Sequence, residues 1–322
     1  MSLLGPDTLF QRVAFVFPGQ GSQYVGMGRA IYERSSAARA VFERADEALG
    51  FALSRLCFEG PADVLEDTIN AQPAILTVSI ACLEALREKW RALGKIVRPL
   101  FVAGHSLGEY SALVAADALD FSDAVRLVRE RGRLMKESSQ ERPGGMAAVI
   151  GLDDATLEEV CREASRAGVV VVSNANSPDQ RVLSGEIHAL LHAMELARQR
   201  GARRVACLGV SIASHSPLMQ RAAQQFSEVL AGIRLREPSV PLVANITGQV
   251  LTSVEDIRRE LAEQLCRPVQ WTYCVTEMLN RGVSSFAEIG PGHVLSGLIR
   301  RISQDVQVIT LNDQAIATLD VS

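Results

Sequence analysis

The chain has 322 residues, 48% of them hydrophobic and 22% charged, a composition that fits an ordinary soluble globular protein with one large domain or a domain carrying an inserted smaller one. Its 33 Lys and Arg against 37 Asp and Glu leave a net charge of -4, which excludes a general nucleic-acid binder, because affinity for phosphate backbones needs a concentrated excess of basic side chains. Six cysteines stand far apart with no CxxC pair and no His partner at ligand spacing, so neither a zinc site nor a disulfide framework is predicted, and the thiols read as reduced in a cytoplasm.

In chain order, the N-terminus shows no basic segment followed by an apolar one, and the run Val13 to Phe17 is stopped by Pro18-Gly19, so no signal peptide is expected. Val13 to Phe17 reads as a buried first strand, followed by helical stretches over 36–49 and 73–92. Pro99 to Gly104 is a second apolar strand, after which the pattern is helical from Glu109 to about Ala116 and again from Ser122 to Lys136. The breaker cluster from Gln140 to Gly145 opens a separate unit. That unit reads strand 146–150, helix 153–166, strands 169–174 and 181–184, helix 186–200 and strand 203–208, the βαββαβ order of a ferredoxin-like subdomain. The larger sheet then resumes with a helix near Pro217, a strand over 240–244, a helix over 254–266 and a strand over 285–289. Strands alternating with helices predict an α/β fold with a parallel sheet. Residues 1–141 and 210–322 form the core, with the subdomain inserted at 142–209. No apolar stretch approaches the roughly 20 residues that span a bilayer.

Gly104-His105-Ser106-Leu107-Gly108 matches the G-x-S-x-G nucleophile elbow and lies between a predicted strand and a predicted helix, the context that motif requires. Its glycines permit a sharp turn, and the following helix aims free N–H groups at the place where a carbonyl oxygen would become negative. A serine hydroxyl needs an adjacent base, and the chain has five histidines. His188 and His192 fall on one face of a subdomain helix and read as solvated; His105 is fixed inside the elbow and can line a pocket but not serve its neighbour as base. His293, after Gly290-Pro291-Gly292, reads as a loop residue that could lie near a site, whereas His215 stands in a polar loop just before a helix, where a catalytic base is usually found.

Five ordered motifs resemble those of the malonyl-CoA:acyl carrier protein transacylases and the related polyketide synthase acyltransferase domains. They are Phe17 to Gln23, Gly104 to Tyr110, Val128 to Gly132, Ser214-His215 and Glu288 to Gly292, within a resemblance running from about residue 12 to about 313. The resemblance implies an α/β-hydrolase-like core. It also implies a Ser106 nucleophile, a His215 base, an oxyanion hole from Gln20 and the Leu107 amide, and an Arg131 clamp on the free carboxylate of the acyl group. Without its motif, Arg131 would read as one more solvated charge in the series Arg126, Arg129, Arg131 and Arg133. Gln264 aligns with the residue whose main-chain carbonyl orients the histidine, implying a Ser-His dyad, and His105, Ser214 and Met135 are candidates for the acyl pocket.

The implied activity is transfer of malonyl from malonyl-CoA through a Ser106 ester to the phosphopantetheine thiol of a holo acyl carrier protein, for fatty acid biosynthesis. It needs no metal and no cofactor beyond the coenzyme A substrate, and it implies a cytoplasmic monomer with no nucleic-acid or membrane partner. The tetrad Ile212-Ala213-Ser214-His215 leans towards methylmalonyl through Ser214, while Leu107 fits the malonyl type, and malonyl is the favoured reading. A discrete, trans-acting polyketide acyltransferase is the alternative; a serine hydrolase is a further one, but it leaves Arg131 and Gln20 without a role. Arg203, Arg204, Arg198 and Arg200 are candidates for a basic surface that an acidic carrier would meet.

Overall fold

The computed structural model describes residues 12–319. The N-terminal stretch read as lacking a signal peptide lies, up to residue 11, outside the described residues. The first half of the chain runs β1 (Val13–Phe17), α1 (Arg29–Arg34), α2 (Ser36–Leu49), α3 (Leu53–Glu59), α4 (Ala62–Glu66), α5 (Thr68–Ala92), β2 (Phe101–Gly104), α6 (Gly108–Ala115) and α7 (Phe121–Glu141). The inserted unit comprises β3 (Gly144–Ile150), α8 (Asp154–Ala164), β4 (Val170–Ser177), β5 (Gln180–Glu186), α9 (Ile187–Gln199) and β6 (Arg204–Cys207). The remainder is α10 (Gln220–Ala231), β7 (Leu242–Val243), β8 (Val250–Leu251), α11 (Val254–Glu263), α12 (Trp271–Asn280), β9 (Ser285–Ile289), α13 (Val294–Ile302), β10 (Gln307–Leu311) and α14 (Asp313–Ala317).

Two sheets result. The larger has the order β10-β9-β1-β2-β7-β8, parallel throughout except for the β7–β8 pair. Every residue of β1 is buried, as expected of a central strand covered by helices on both faces. The second sheet, order β4-β5-β3-β6, is antiparallel and has its own core around Leu157, Val160, Leu183 and Met194. The two are tied edge to loop: Ala175 N–H donates to the Val269 carbonyl and Val269 N–H to that of Ser173, each at 2.9 Å.

Several boundaries differ from the sequence reading. The helix expected from residue 73 begins at Thr68, because Asp67 caps it by accepting a hydrogen bond from Ile69 N–H. The helix expected to end at Lys136 runs on to Glu141. The helix expected over 254–266 stops at Glu263. The edge strands β8 and β10 and the helices α1, α3, α4, α12, α13 and α14 escaped the sequence reading, being short or lacking clear periodicity. One expectation is corrected: α5 is long and apolar enough to cross a membrane, with 25 residues and mean hydropathy 1.4 in its most apolar window. It is instead a core helix, with 83% of that window buried inside the protein.

Candidate active site

The first strand, the second strand and helix α6 create the elbow. The backbone leaves β2, turns at Ser106 with φ +52° and enters α6. This left-handed conformation costs a non-glycine residue on the order of 1–3 kcal/mol. The flanking glycines are required by proximity: a Cβ on Gly104 would lie 1.9 Å from the Gly108 carbonyl carbon, and one on Gly108 would lie 2.1 Å from the Phe17 carbonyl oxygen. Asn245, following β7, holds the turn from behind. Its Oδ1 accepts from Ser106 N–H at 2.6 Å and its Nδ2 donates to the Gly104 carbonyl at 2.7 Å.

His215, 3% exposed, comes from the loop before α10 and also has a positive φ, +59°. Its Nε2 lies 2.7 Å from Ser106 Oγ and its Nδ1 lies 2.7 Å from the main-chain carbonyl of Gln264. A carbonyl only accepts, so Nδ1 carries the proton and the Nε2 lone pair faces the serine hydroxyl. Burial pushes the imidazole down to about 3; the neighbouring Arg131 cation adds to the drop and the Gln264 carbonyl opposes it. The ring is therefore neutral, the form that can take a proton.

Arg131 reaches the same place from the middle of α7 and is 1% exposed. Its Nη1 donates to Gln72 Oε1 at 2.8 Å, and its Nη2 donates to Gln264 Oε1 at 3.0 Å and to Ser106 Oγ at 3.3 Å. Three of the five guanidinium N–H donors are thus engaged; of the other two, the Nε–H is buried from any ligand and one Nη1 N–H is left. Among the described residues no carboxylate forms an ion pair with it. Its surroundings are otherwise the Tyr110 ring, 5.7 Å from the guanidinium carbon, and the through-space field of Glu109.

A cavity of about 320 Å³ opens between the elbow and the inserted sheet. Ser106, His215, Arg131, Gln20, Leu107, His105, Ser214 and Met135 all line it, so the structure brings all these sequence-predicted residues together. Gln264 stands behind them, fully buried. Gln20 is exposed and accepts a hydrogen bond from Thr68 Oγ1 at 3.0 Å. Leu107 immediately precedes α6, where the first N–H groups of a helix have no intrahelical carbonyl. His105 Nε2 bonds Asn176 Oδ1 at 2.8 Å, joining the elbow to the inserted sheet. Asn174 and Asn176, from β4, also line the cavity.

None of the other three histidines lines the cavity, although His293 directly precedes Val294 and Leu295, which do. His188 and His192 are exposed on α9, and His293 is exposed where α13 begins. The expected basic surface is largely neutralised: Arg203 pairs with Asp179 at 2.6 Å, Arg200 with Glu159 and Glu163, and Arg198 with Glu195. Only Arg204 of the four has no acidic partner among the described residues. Among those residues no three His, Cys, Asp or Glu side chains converge as a metal-ligand set.

Sequence reasoning missed Gln72, Asn245, Glu109 and, behind them, the buried Glu260, whose Oε1 accepts from Ile246 N–H at 2.8 Å. Gln72 and Glu109 are polar side chains completely buried on helices, and each sits in an apolar run where such a residue needs a partner. That was the available signal for both. Asn245 and Glu260 carry no local one.

The chain matches the family model described as acyl transferase domain over residues 14–315. A protein of Bacillus subtilis named malonyl CoA-acyl carrier protein transacylase is 45% identical over 303 residues, covering 94% of each chain. The solved structure of a malonyl CoA-acyl carrier protein transacylase from Coxiella burnetii superposes with a TM-score of 0.91 at 38% identity, covering 97% of this chain and 98% of that one. A malonyl-transacylase solved in complex with a holo type II polyketide synthase acyl-carrier protein superposes equally well, TM-score 0.91 at 39% identity, over 96% of this chain and 99% of the other.

Proposed function

The chain belongs to the acyl transferase domain family, and from that premise we propose that it transfers malonyl from coenzyme A to the phosphopantetheine thiol of an acyl carrier protein. The observation that carries this reading is Arg131: a buried guanidinium at the cavity with an unengaged Nη1 donor and no ion-paired carboxylate among the described residues, in contact with the nucleophile. Such a group favours an acyl chain that brings its own carboxylate. A simple hydrolase would leave it uncompensated.

The chemistry follows from the geometry. Ser106 Oγ attacks the thioester carbonyl while His215 Nε2 takes its proton across 2.7 Å. The developing oxyanion is met by the Leu107 amide at the start of α6 and by Gln20. His215 then returns the proton to the departing coenzyme A sulfur, leaving a Ser106 ester. In the second half-reaction His215 takes the proton of the carrier thiol, the thiolate attacks the ester, and Ser106 Oγ recovers the proton. Both half-reactions exchange a thioester and an ester, so the kinetics are ping-pong and the overall equilibrium lies near unity. The Gln264 carbonyl holds the imidazole in place of a triad carboxylate. All these steps use the chain's own side chains and main-chain groups, with coenzyme A as part of the substrate.

Several finer readings belong with this proposal. The larger sheet is α/β-hydrolase-like and the inserted unit ferredoxin-like, supported by its βαββαβ element order and its strand order. Residues 1–141 and 210–322 form one domain and 142–209 the other. The enzyme works as a cytoplasmic monomer, and fatty acid synthesis is the favoured pathway.

Intact-protein mass spectrometry tests the reading. After brief incubation with malonyl-CoA, methylmalonyl-CoA and acetyl-CoA in competition, the protein should carry a malonyl adduct on Ser106 that moves to added holo carrier protein. An adduct lost to water at the same rate with and without carrier would overturn it in favour of a hydrolase. Labelling that persists in Ser106→Ala would remove Ser106 from its role.

A further inference from the structure

Behind the site, contacts from all three working groups converge on Glu109, the second residue of α6 and completely buried. Its Oε1 accepts from the Asn245 main-chain N–H at 3.3 Å, and Asn245 in turn holds the Ser106 amide. Its Oε2 accepts from Gln264 Nε2 in a short hydrogen bond. Gln264 stands between base and clamp: its carbonyl orients His215, its Oε1 accepts from Arg131, and its Nε2 also reaches the Ser106 carbonyl at 3.2 Å.

A primary amide can sit either way round, and the two orientations differ in what they offer Arg131. With oxygen towards the guanidinium it anchors the cation. With NH2 towards it, two donors face each other and the guanidinium is displaced. An acceptor on the far side of Gln264 decides between them, and Glu109 supplies that acceptor. The Ser106 carbonyl, which also accepts from Gln264 Nε2, is a neutral acceptor, whereas the Glu109 carboxylate is a charged one.

We propose that Glu109 is a positioning residue for acyl selection: by accepting from Gln264 Nε2 it fixes the amide with Oε1 towards Arg131, and so aligns the guanidinium for the substrate carboxylate. The role needs an acceptor at the oxygen facing Gln264, which the Glu109 carboxylate supplies. It also accounts for the carboxylate lying one amide away from Arg131: a direct ion pair would occupy the donor the substrate requires. The inference rests on the malonyl-transfer reading above.

The test is single-turnover acylation of Ser106 by malonyl-CoA and by acetyl-CoA, read by intact mass in the wild type, Glu109→Gln and Glu109→Leu. Glu109→Leu should lower the malonyl-to-acetyl rate ratio by about tenfold, the worth of one hydrogen bond to a charged group, beyond any loss the two substrates share through Asn245. Glu109→Gln, which keeps an acceptor oxygen, should restore most of the ratio. Parallel loss on both substrates in a folded Glu109→Leu protein, or a ratio as low in Glu109→Gln as in Glu109→Leu, overturns the proposal. Should Glu109→Leu fail to fold, Gln264→Met decides, since it deletes the amide and keeps the main-chain carbonyl to His215. It should lower the ratio by itself, and adding Glu109→Gln should change nothing further. A further, additive drop overturns the proposal. A wild type that forms no malonyl ester would instead refute the transfer reading, so the two failures are separable.

Discussion

Replacing Arg131 with Ala puts the carboxylate-clamp argument at risk in a quantitative way. One Nη1 donor is unengaged and not sealed off by burial, and a hydrogen bond to a charged group contributes about 1.5–3 kcal/mol. Losing it costs roughly one to two orders of magnitude in malonyl transfer. Acetyl-CoA has no carboxylate to lose. Its acylation should change by less than about tenfold, because Arg131 touches Ser106 Oγ only at 3.3 Å. Rapid-quench acylation read by intact mass gives both rates on one preparation. Arg131→Lys, which keeps the charge and loses the planar fork, should fall between wild type and Arg131→Ala on malonyl-CoA. Equal losses on malonyl-CoA and acetyl-CoA in Arg131→Ala would refute the clamp, whatever their size.

The state of His215 predicts the pH profile. Its folded-state pKa is depressed, so it stays neutral and competent well below the pH at which an ordinary histidine protonates, and activity is lost only as pH falls towards about 3. Labelling of Ser106 by an uncharged serine-reactive phosphonate, with short pulses at each pH, isolates this titration from that of any substrate carboxylate. A plateau through pH 5–6 is expected, and an inflection near the ordinary value of about 6.5 would contradict the buried, Arg131-facing environment. For Asn245→Ala the expected cost is about 2–4 kcal/mol in urea unfolding, because the Ser106 amide and the Gly104 carbonyl both lose a buried partner. A loss under about 0.5 kcal/mol, the range of an ordinary surface change, would mean that the elbow does not depend on this staple.

What could be read in advance depended on how local each signal is. The elbow was legible because its glycines sit where the backbone leaves no room for a Cβ, and because strand and helix flank it directly in sequence. The central strand β1 and the alternation of the inserted unit were legible for the same reason: buried runs and amphipathic helices are written in neighbouring residues. Arg131 was legible only through its motif, since its spacing alone matches a solvated helix face. Asn245 was not legible. It follows a two-residue strand and acts on Gly104 and Ser106, far away along the chain. Glu109 lay inside a quoted motif, yet its partners Asn245 and Gln264 come from the last third of the protein. The ion pairs of the arginine cluster were not legible either: Arg200 and Arg203 meet Glu159, Glu163 and Asp179, which come from other elements of the folded chain.

The placement of β1 has a consequence for how the protein comes into being. This first strand lies between β2 and β9, and its opening residue Val13 pairs with Ser285. Closing that contact requires a very long loop to be gathered in, which makes assembly of the sheet slow by topology. A ribosome must deliver the chain as far as Ser285 before one edge of β1 finds its neighbour. Until then α5, apolar enough to pass for a membrane span, lacks part of its cover. Nascent chains are therefore the vulnerable form of this molecule, and fragments cut short before β9 should depend on chaperones that the finished protein can do without.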